Sequence, residues 1–291
     1  MNKAIFSVII PTYNRAGLLK RCIESVLAQT FSDWEAIVVD NYSEDNTEEV
    51  VNSFNDPRIV YVKNHNYGVI SVSRNKGIEL SKGGWICFLD SDDIWLPNKL
   101  ESMLPYLSDY DLIYHDLRYN LPSKKIFERG KTRFYQIKES SAAYVLQRGD
   151  PISPSCACVS RNTIGETRFS EDRTLIAVED YDFFLQLVDK NIRIKYLRKE
   201  LTLYDVSGCS QDGKGPERDR VLFEKWDNHL DDEERKEVKL QYYRRKADTL
   251  RSMGQFKDAL SYYKKVLPSR ILFKKFIALR GIVLCYYYRF F

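Results

Sequence analysis

Through its first hundred residues the chain alternates short apolar runs with helix-period segments, and most of the runs end in polar loops. Residues 6–10 read as a strand stopped by Pro11-Thr12-Tyr13-Asn14. Leu18, Leu19, Cys22, Ile23, Val26 and Leu27 then fall on one helical face. Residues 34–39 form a second strand, ended by Asp40-Asn41-Tyr42-Ser43. Val50, Val51 and Phe54 mark a helix, residues 59–62 a third strand, 68–80 a helix and 85–89 a fourth strand. Such a βαβαβαβ order predicts an open, mixed but mostly parallel α/β sheet with helices on both faces. Ligands of such sheets sit outside the carboxyl ends of the strands. The loops at 11–14, 40–43 and 90–93 all fall there.

The fourth strand runs into Asp90-Ser91-Asp92-Asp93. Alternate side chains of an extended segment share a side, so Asp90 and Asp92 can face one ligand. Two carboxylates at a strand end suit Mg²⁺ or Mn²⁺, with water and a phosphate completing the sphere. The competing reading makes Asp92 or Asp93 the cap of a following helix, because Leu96, Leu100, Leu104 and Leu107 recur at helical spacing.

Beyond residue 110 the pattern loosens. Short strands are expected at 112–114, 156–160 and 192–196. A helix carrying Tyr181, Phe184, Leu185 and Val188 opens at Glu179-Asp180, and a loop is expected over 205–219. From residue 232 the chain reads as helical and basic. Residues 235–291 hold 15 Lys and Arg against 3 Asp and Glu, on a body of net charge −8. That asymmetry points to an anionic partner for the tail. Six cysteines without a CxxC pair read as reduced, mostly buried thiols. No signal peptide and no run of about 20 apolar residues is evident, so a cytoplasmic chain without a spanning helix is expected.

The motifs Ser7-Val-Ile-Ile-Pro-Thr-Tyr-Asn-Arg15, Val38-Val-Asp-Asn-Tyr-Ser43, Gly68 with Ser73-Arg-Asn-Lys-Gly77, Leu89-Asp-Ser-Asp-Asp93 and Val178-Glu-Asp-Tyr-Asp182 together resemble family 2 of the inverting glycosyltransferases, which share the GT-A fold. The resemblance spans about residues 5–210. It implies transfer of a sugar from a UDP-sugar donor to a saccharide acceptor, lipid-linked, in cell-surface polysaccharide or glycan synthesis. By this resemblance Pro11, Thr12, Tyr13 and Arg15 lie at the nucleotide, with Asp40 on the uracil and Asn41 beside it. Arg74 and Asn75 line the donor site, Asp90 and Ser91 meet the ribose or sugar, and Asp92, with Asp90, holds the metal. Asp180 would be the general base, with Glu179 beside it; on the residues alone, Asp180 reads first as a helix cap. Two departures stand out. Tyr42 occupies a position where the family often has Gly, and Asp205 and Ser207 stand where it often has Arg and His, which puts a third metal ligand in doubt.

The domain reading is a GT-A domain over 1–220, with a donor half to about 110, followed by a helical extension over 221–291. Within the extension Ala247, Leu250, Gly254, Phe256, Ala259, Tyr263 and Val266 resemble one tetratricopeptide helix pair. Residues 269–291 carry Arg270, Lys274, Lys275, Arg280 and Arg289 without an acid, among seven aromatics. This mixture suits an anionic membrane surface, so peripheral association with the inner membrane face is expected. No nucleic-acid module is recognised. A metal-dependent nucleotidyltransferase is the rival enzyme, disfavoured because no Gly-rich, basic phosphate loop follows the first strand. A non-catalytic scaffold acting through the tail is the rival of another class.

Overall fold

A computed structural model describes residues 4–120, 131–132, 134–205 and 215–290. The chain divides into two compact units. The first comprises Met1–Ser140, Pro151–Glu171 and Glu179–Cys209; the second comprises Ser141–Asp150, Asp172–Val178 and Ser210–Phe291.

The first unit is built on one mixed sheet. Its strands are β1 (Phe6–Thr12), β2 (Trp34–Asp40), β3 (Ile59–Lys63), β4 (Trp85–Phe88), β5 (Ile94–Trp95), β6 (Leu112–Asn120), β7 (Lys131–Thr132), β8 (Ala157–Ser160) and β9 (Ile194–Asp205). They lie in the order β3-β2-β1-β4-β8-β6-β9-β5, with β7 paired to β6. The four strands β3-β2-β1-β4 are parallel, β8 runs against β4 and β6, and β9 is parallel to β6. Register aligns Thr12 with Asp40 and Asp40 with Lys63, so the polar loops leave the sheet side by side.

Strand β1 is buried along its whole length because both faces are covered. Val8 and Ile10 join Leu19, Cys22, Ile23 and Val26 of α1 (Ala16–Leu27) in one core. After α2 (Thr47–Ser53), α3 (Ile70–Leu80) crosses close to Ile9. A β-carbon on Gly77 would meet Ile9 Cγ2 at 2.3 Å, so only glycine allows this approach.

The helix expected directly after Asp93 does not form there. Ile94 and Trp95 instead pair with Leu203 and Thr202 as β5, and α4 is confined to Lys99–Met103. Pro97 supplies the local reason, since the residue before a proline is driven from helical to extended backbone. Pairing with β9 supplies the rest. Strands β6 and β9 outrun their expected lengths, their registers shifting around His115 and Asp116. Helices α5 (Ala142–Leu146), α6 (Arg161–Ile164) and α7 (Glu179–Val188) follow, α5 belonging to the second unit. Of the loop expected at 205–219, residues 206–214, with Ser207, fall outside the described residues, and 215–219 are helical rather than loop.

The second unit is helical: α8 (Gly215–Trp226), α9 (Asp232–Ser252), α10 (Phe256–Val266) and α11 (Leu272–Phe290). Asp231 and Glu234 form a capping box that starts α9. Helices α9 and α10 turn at Gly254, whose φ of 75° suits glycine. Ala247, Ala259, Tyr263 and Val266 pack with Ala278 and Cys285 of α11, so a third helix covers the tetratricopeptide-like pair.

Candidate active site

A polar cavity of about 480 Å³ opens at the carboxyl ends of the parallel strands. Each wall comes from one strand end. Pro11, Thr12, Tyr13 and Arg15 follow β1, and Asn41 follows β2. Asn66, Gly68 and Ile70 join β3 to α3. Asp90, Ser91 and Asp92 follow β4, and Tyr204 and Asp205 end β9. Its volume is that of an ordinary small-molecule site. Thr12 Oγ1 is buried with no hydrogen-bond partner among the described residues, which fits a wall completed by a polar ligand.

The carboxylates are distributed unequally. Asp92 meets Arg15 Nη1 at 2.6 Å, and burial followed by the nearby Asp90 charge raises its pKa against the pull of Arg15. Asp93 is turned inward, where it accepts from the Asp205 amide at 3.0 Å; burial and Asp90 push it up to about 8. Asp90 accepts from Arg74 Nη2 at 2.9 Å. Arg74 is buried on α3, and its Nη1 donates to Glu179 Oε1, also at 2.9 Å. One guanidinium thus ties the end of β4 to the first turn of α7. Asp180, next along α7, accepts from the Tyr181 amide at 2.8 Å. Burial and the Glu179 charge raise its pKa to about 6, with Arg74 opposing.

Of the residues named from sequence, Arg74, Glu179, Asp180, Asp40 and Asn75 do not line this cavity, and the last two are engaged elsewhere. Asp40 is buried behind the cavity, accepting from Tyr61 Oη at 2.6 Å and from the Ser43 amide at 3.1 Å. It shapes the loop that presents Asn41. Asn75 clasps a neighbouring segment: its side chain exchanges two 2.9 Å bonds with the Phe169 main chain and donates to Glu171. Asn66, Ile70 and Asp205 are wall residues that the motifs did not bring out as site residues. The strand-end rule applied to β3 would have found the first two.

Backbone strain gathers at the rim. Asn14, Tyr42 and Tyr67 have φ of 48°, 56° and 53°, a region costly for non-glycine residues. The Tyr42 ring stacks on His65 at 3.7 Å, and His65 lies 5.7 Å from the Tyr67 ring. Stacking thus holds Tyr42 where the motif elsewhere has glycine.

Among the described residues no group of three or more His, Cys, Asp or Glu side chains is placed to share a metal. Asp90 and Asp92 still offer hard carboxylate oxygens on the cavity wall. Such a pair fits Mg²⁺ or Mn²⁺, which keep several ligands from water and phosphate.

A family model described as Glycosyl transferase family 2 matches residues 7–166. The putative teichuronic acid biosynthesis glycosyltransferase TuaG of Bacillus subtilis is 35% identical over 209 residues, 71% of this chain and 77% of that protein. The Escherichia coli UDP-Glc:alpha-D-GlcNAc-diphosphoundecaprenol beta-1,3-glucosyltransferase WfgD is 40% identical over 104 residues, 36% of this chain and 41% of that one. The crystal structure of S. aureus TarS 1-349 in complex with UDP-GlcNAc superposes with a TM-score of 0.64 at 18% identity, covering 96% of this chain and 90% of that chain. The likeness to TarS shows a shared, GT-A-like fold.

Proposed function

The chain belongs to glycosyl transferase family 2, and from that premise we propose that it moves a sugar from a UDP-sugar to a saccharide acceptor with inversion. The observation that carries this reading is the Arg74 bridge, which holds Asp90 and Glu179 at 2.9 Å each. It ties Asp90, on the wall of the polar cavity, to the first turn of α7, where the neighbouring Asp180 has its pKa raised, the two parts that a single displacement needs.

In this mechanism Asp180 takes the proton of the acceptor hydroxyl as its oxygen attacks the anomeric carbon. The bond from that carbon to the diphosphate oxygen breaks, and the nucleotide leaves with the electron pair. A pKa of about 6 leaves Asp180 ionised at neutral pH yet basic enough to be an effective proton acceptor. Arg74 fixes the position of Asp90 and offsets the charge beside Asp180. Thr12, Tyr13 and Asn41 form the nucleotide wall, and Asp40 holds the 40–43 loop behind it. A divalent ion, held by Asp92 and Asp90, would supply Lewis-acid stabilisation to the departing diphosphate.

The acceptor we propose is lipid-linked, the substrate class in the name of WfgD, and it implies work at the inner membrane face. The test is a panel of nucleotide sugars with and without Mg²⁺ or Mn²⁺, offered with a diphosphoundecaprenol-linked saccharide. UDP release should require both a UDP-sugar and the metal, and NMR should find the product anomer inverted. Release no faster than from Asp180→Asn, or a retained anomer, would overturn the reading.

A further inference from the structure

Helix α11 is packed inside out. The residues it turns inward are Lys274, Ala278, Gly281 and Cys285. Gly281 is pressed against Tyr263 so closely that a β-carbon would fall 2.3 Å from the ring. Seven of its large apolar side chains face outward instead, while Ile277, Ile282 and Leu284 are half-buried. Leu272 is 79% exposed and Phe276 and Val283 are each 65% exposed, with Phe273, Leu279, Tyr286 and Tyr287 also exposed. At about 100° per residue these seven fall within one arc of about 140°. An ordinary surface helix presents the reverse pattern, apolar stripe inward and polar face to water. A contiguous apolar face this long marks an interaction surface.

We propose that this outward face docks on the surface of an anionic lipid bilayer. Charge selects the occupant. Residues 269–291 contain no Asp or Glu. On the helical wheel Lys275 lies just beyond one edge of the apolar arc and Arg280 lies inside its other end, between Tyr287 and Phe273, and from both positions a long basic side chain can reach up to phosphate headgroups while the stem stays in apolar surroundings. Aromatic side chains among the aliphatic ones match the interfacial layer, where amphipathic rings settle. A second copy of the same face would bring cations together with no carboxylate from this segment to answer them. The helix is 19 residues long and spans about 28 Å. No helix among the described residues is long and apolar enough to cross the membrane, so the face would lie in the surface plane.

The inference deepens the proposed lipid-linked acceptor and rests on that reading only for its biological sense. Its test is co-sedimentation of the full chain with vesicles of phosphatidylglycerol and phosphatidylcholine, and with phosphatidylcholine alone. Binding should be at least tenfold stronger to the anionic vesicles and should weaken with added salt. Phe276→Glu with Leu279→Glu should abolish it, and Lys275→Glu with Arg280→Glu should weaken it several-fold. All four side chains are partly or fully exposed, so the variants should keep their melting temperature and metal-dependent UDP release from a soluble donor. Wild-type protein that stays in the supernatant, variants that bind equally well, or a wild-type oligomer that Phe276→Glu dissociates would each overturn the proposal. Vesicle binding without any sugar transfer would instead sink the functional reading and leave this one standing.

Discussion

Each unit buries one cation against a glutamate, and the two sites end differently. Lys274, 1% exposed, donates to Glu237 Oε2 and to the Glu237 carbonyl at 2.7 Å each. Ser269 Oγ and the Arg270 amide fill the rest of that carboxylate. Burial pulls Lys274 down to about 8 against the attraction of Glu237. Arg74, 3% exposed, is left incomplete. Its Nε and the second oxygen of Glu179 have no partner among the described residues, and its other partner, Asp90, lines the cavity. A buried ion pair with its valences filled within one helical unit is scaffold. One with valence left over beside a cavity is a site, because an unpaired buried polar atom persists only where something else repays it.

The largest expected effect tests the site side of this contrast. Asp180→Asn keeps the size and the ability to accept the Tyr181 amide but removes the base, so turnover should fall by about 10²–10⁴-fold. UDP affinity should be preserved. Near-normal turnover at saturating acceptor would reduce Asp180 to a helix cap and leave Arg74 with only a structural duty.

Next come the two cations. Removing one partner of a buried pair costs about 3–5 kcal/mol, so Arg74→Met and Lys274→Met should both lower the urea midpoint. They should part in kinetics. Lys274→Met should retain turnover per folded molecule, whereas the milder Arg74→Lys, read at the same folded fraction, should lose at least tenfold. Equal kinetic losses, or none in either, would erase the distinction.

The pH profile is a smaller effect. The folded pKa of Asp180 is raised to about 6, above the ordinary carboxylate value near 4. The active, ionised form is therefore lost as pH falls through about 6, and kcat/KM should drop about tenfold per unit below it. By linkage the folded state holds this proton more tightly, so the group's contribution favours folding at low pH and fades as pH rises through about 6. A profile flat down to pH 5 would contradict both. Smallest is the rim. Tyr42 has φ of 56° and stacks on His65. Tyr42→Ala and Tyr42→Gly both lose the ring, but only glycine escapes the left-handed penalty, so Ala should be less stable by about 1 kcal/mol. Equal melting temperatures would mean that the loop moves out of that conformation once the ring is gone.

The parallel half of the sheet was legible residue by residue, because strand and helix periods are local. Leu19, Cys22, Ile23 and Val26 bury as their spacing demands, and the carboxylates after β4 stand at the strand end where the apolar run stops. The 94–95 segment misled the reading. Leucine spacing suggested a helix, Pro97 argued against it locally, and a strand a hundred residues away decided the matter. In the second unit, helical periodicity was readable, but which face of α11 turned outward was not. Burial of Lys274 against Glu237 and the fit of Gly281 on Tyr263 set that rotation.

Within the site, local order named Asp90, Asp92 and Asp180 as the groups to watch, since a polar residue ending an apolar run or opening a helix is visible in a window of a few residues. Only the folded chain decided what each of them touches. Arg74 could have paired with any nearby acid, and it bridges residues 16 and 105 positions away. Asp40 was free to face a ligand, and Tyr61 and Ser43 hold it behind the wall. Period follows from backbone geometry and hydration, which neighbours in sequence settle among themselves. Partner choice follows from competition for buried hydrogen bonds, which is settled only when distant segments are brought together and water is excluded.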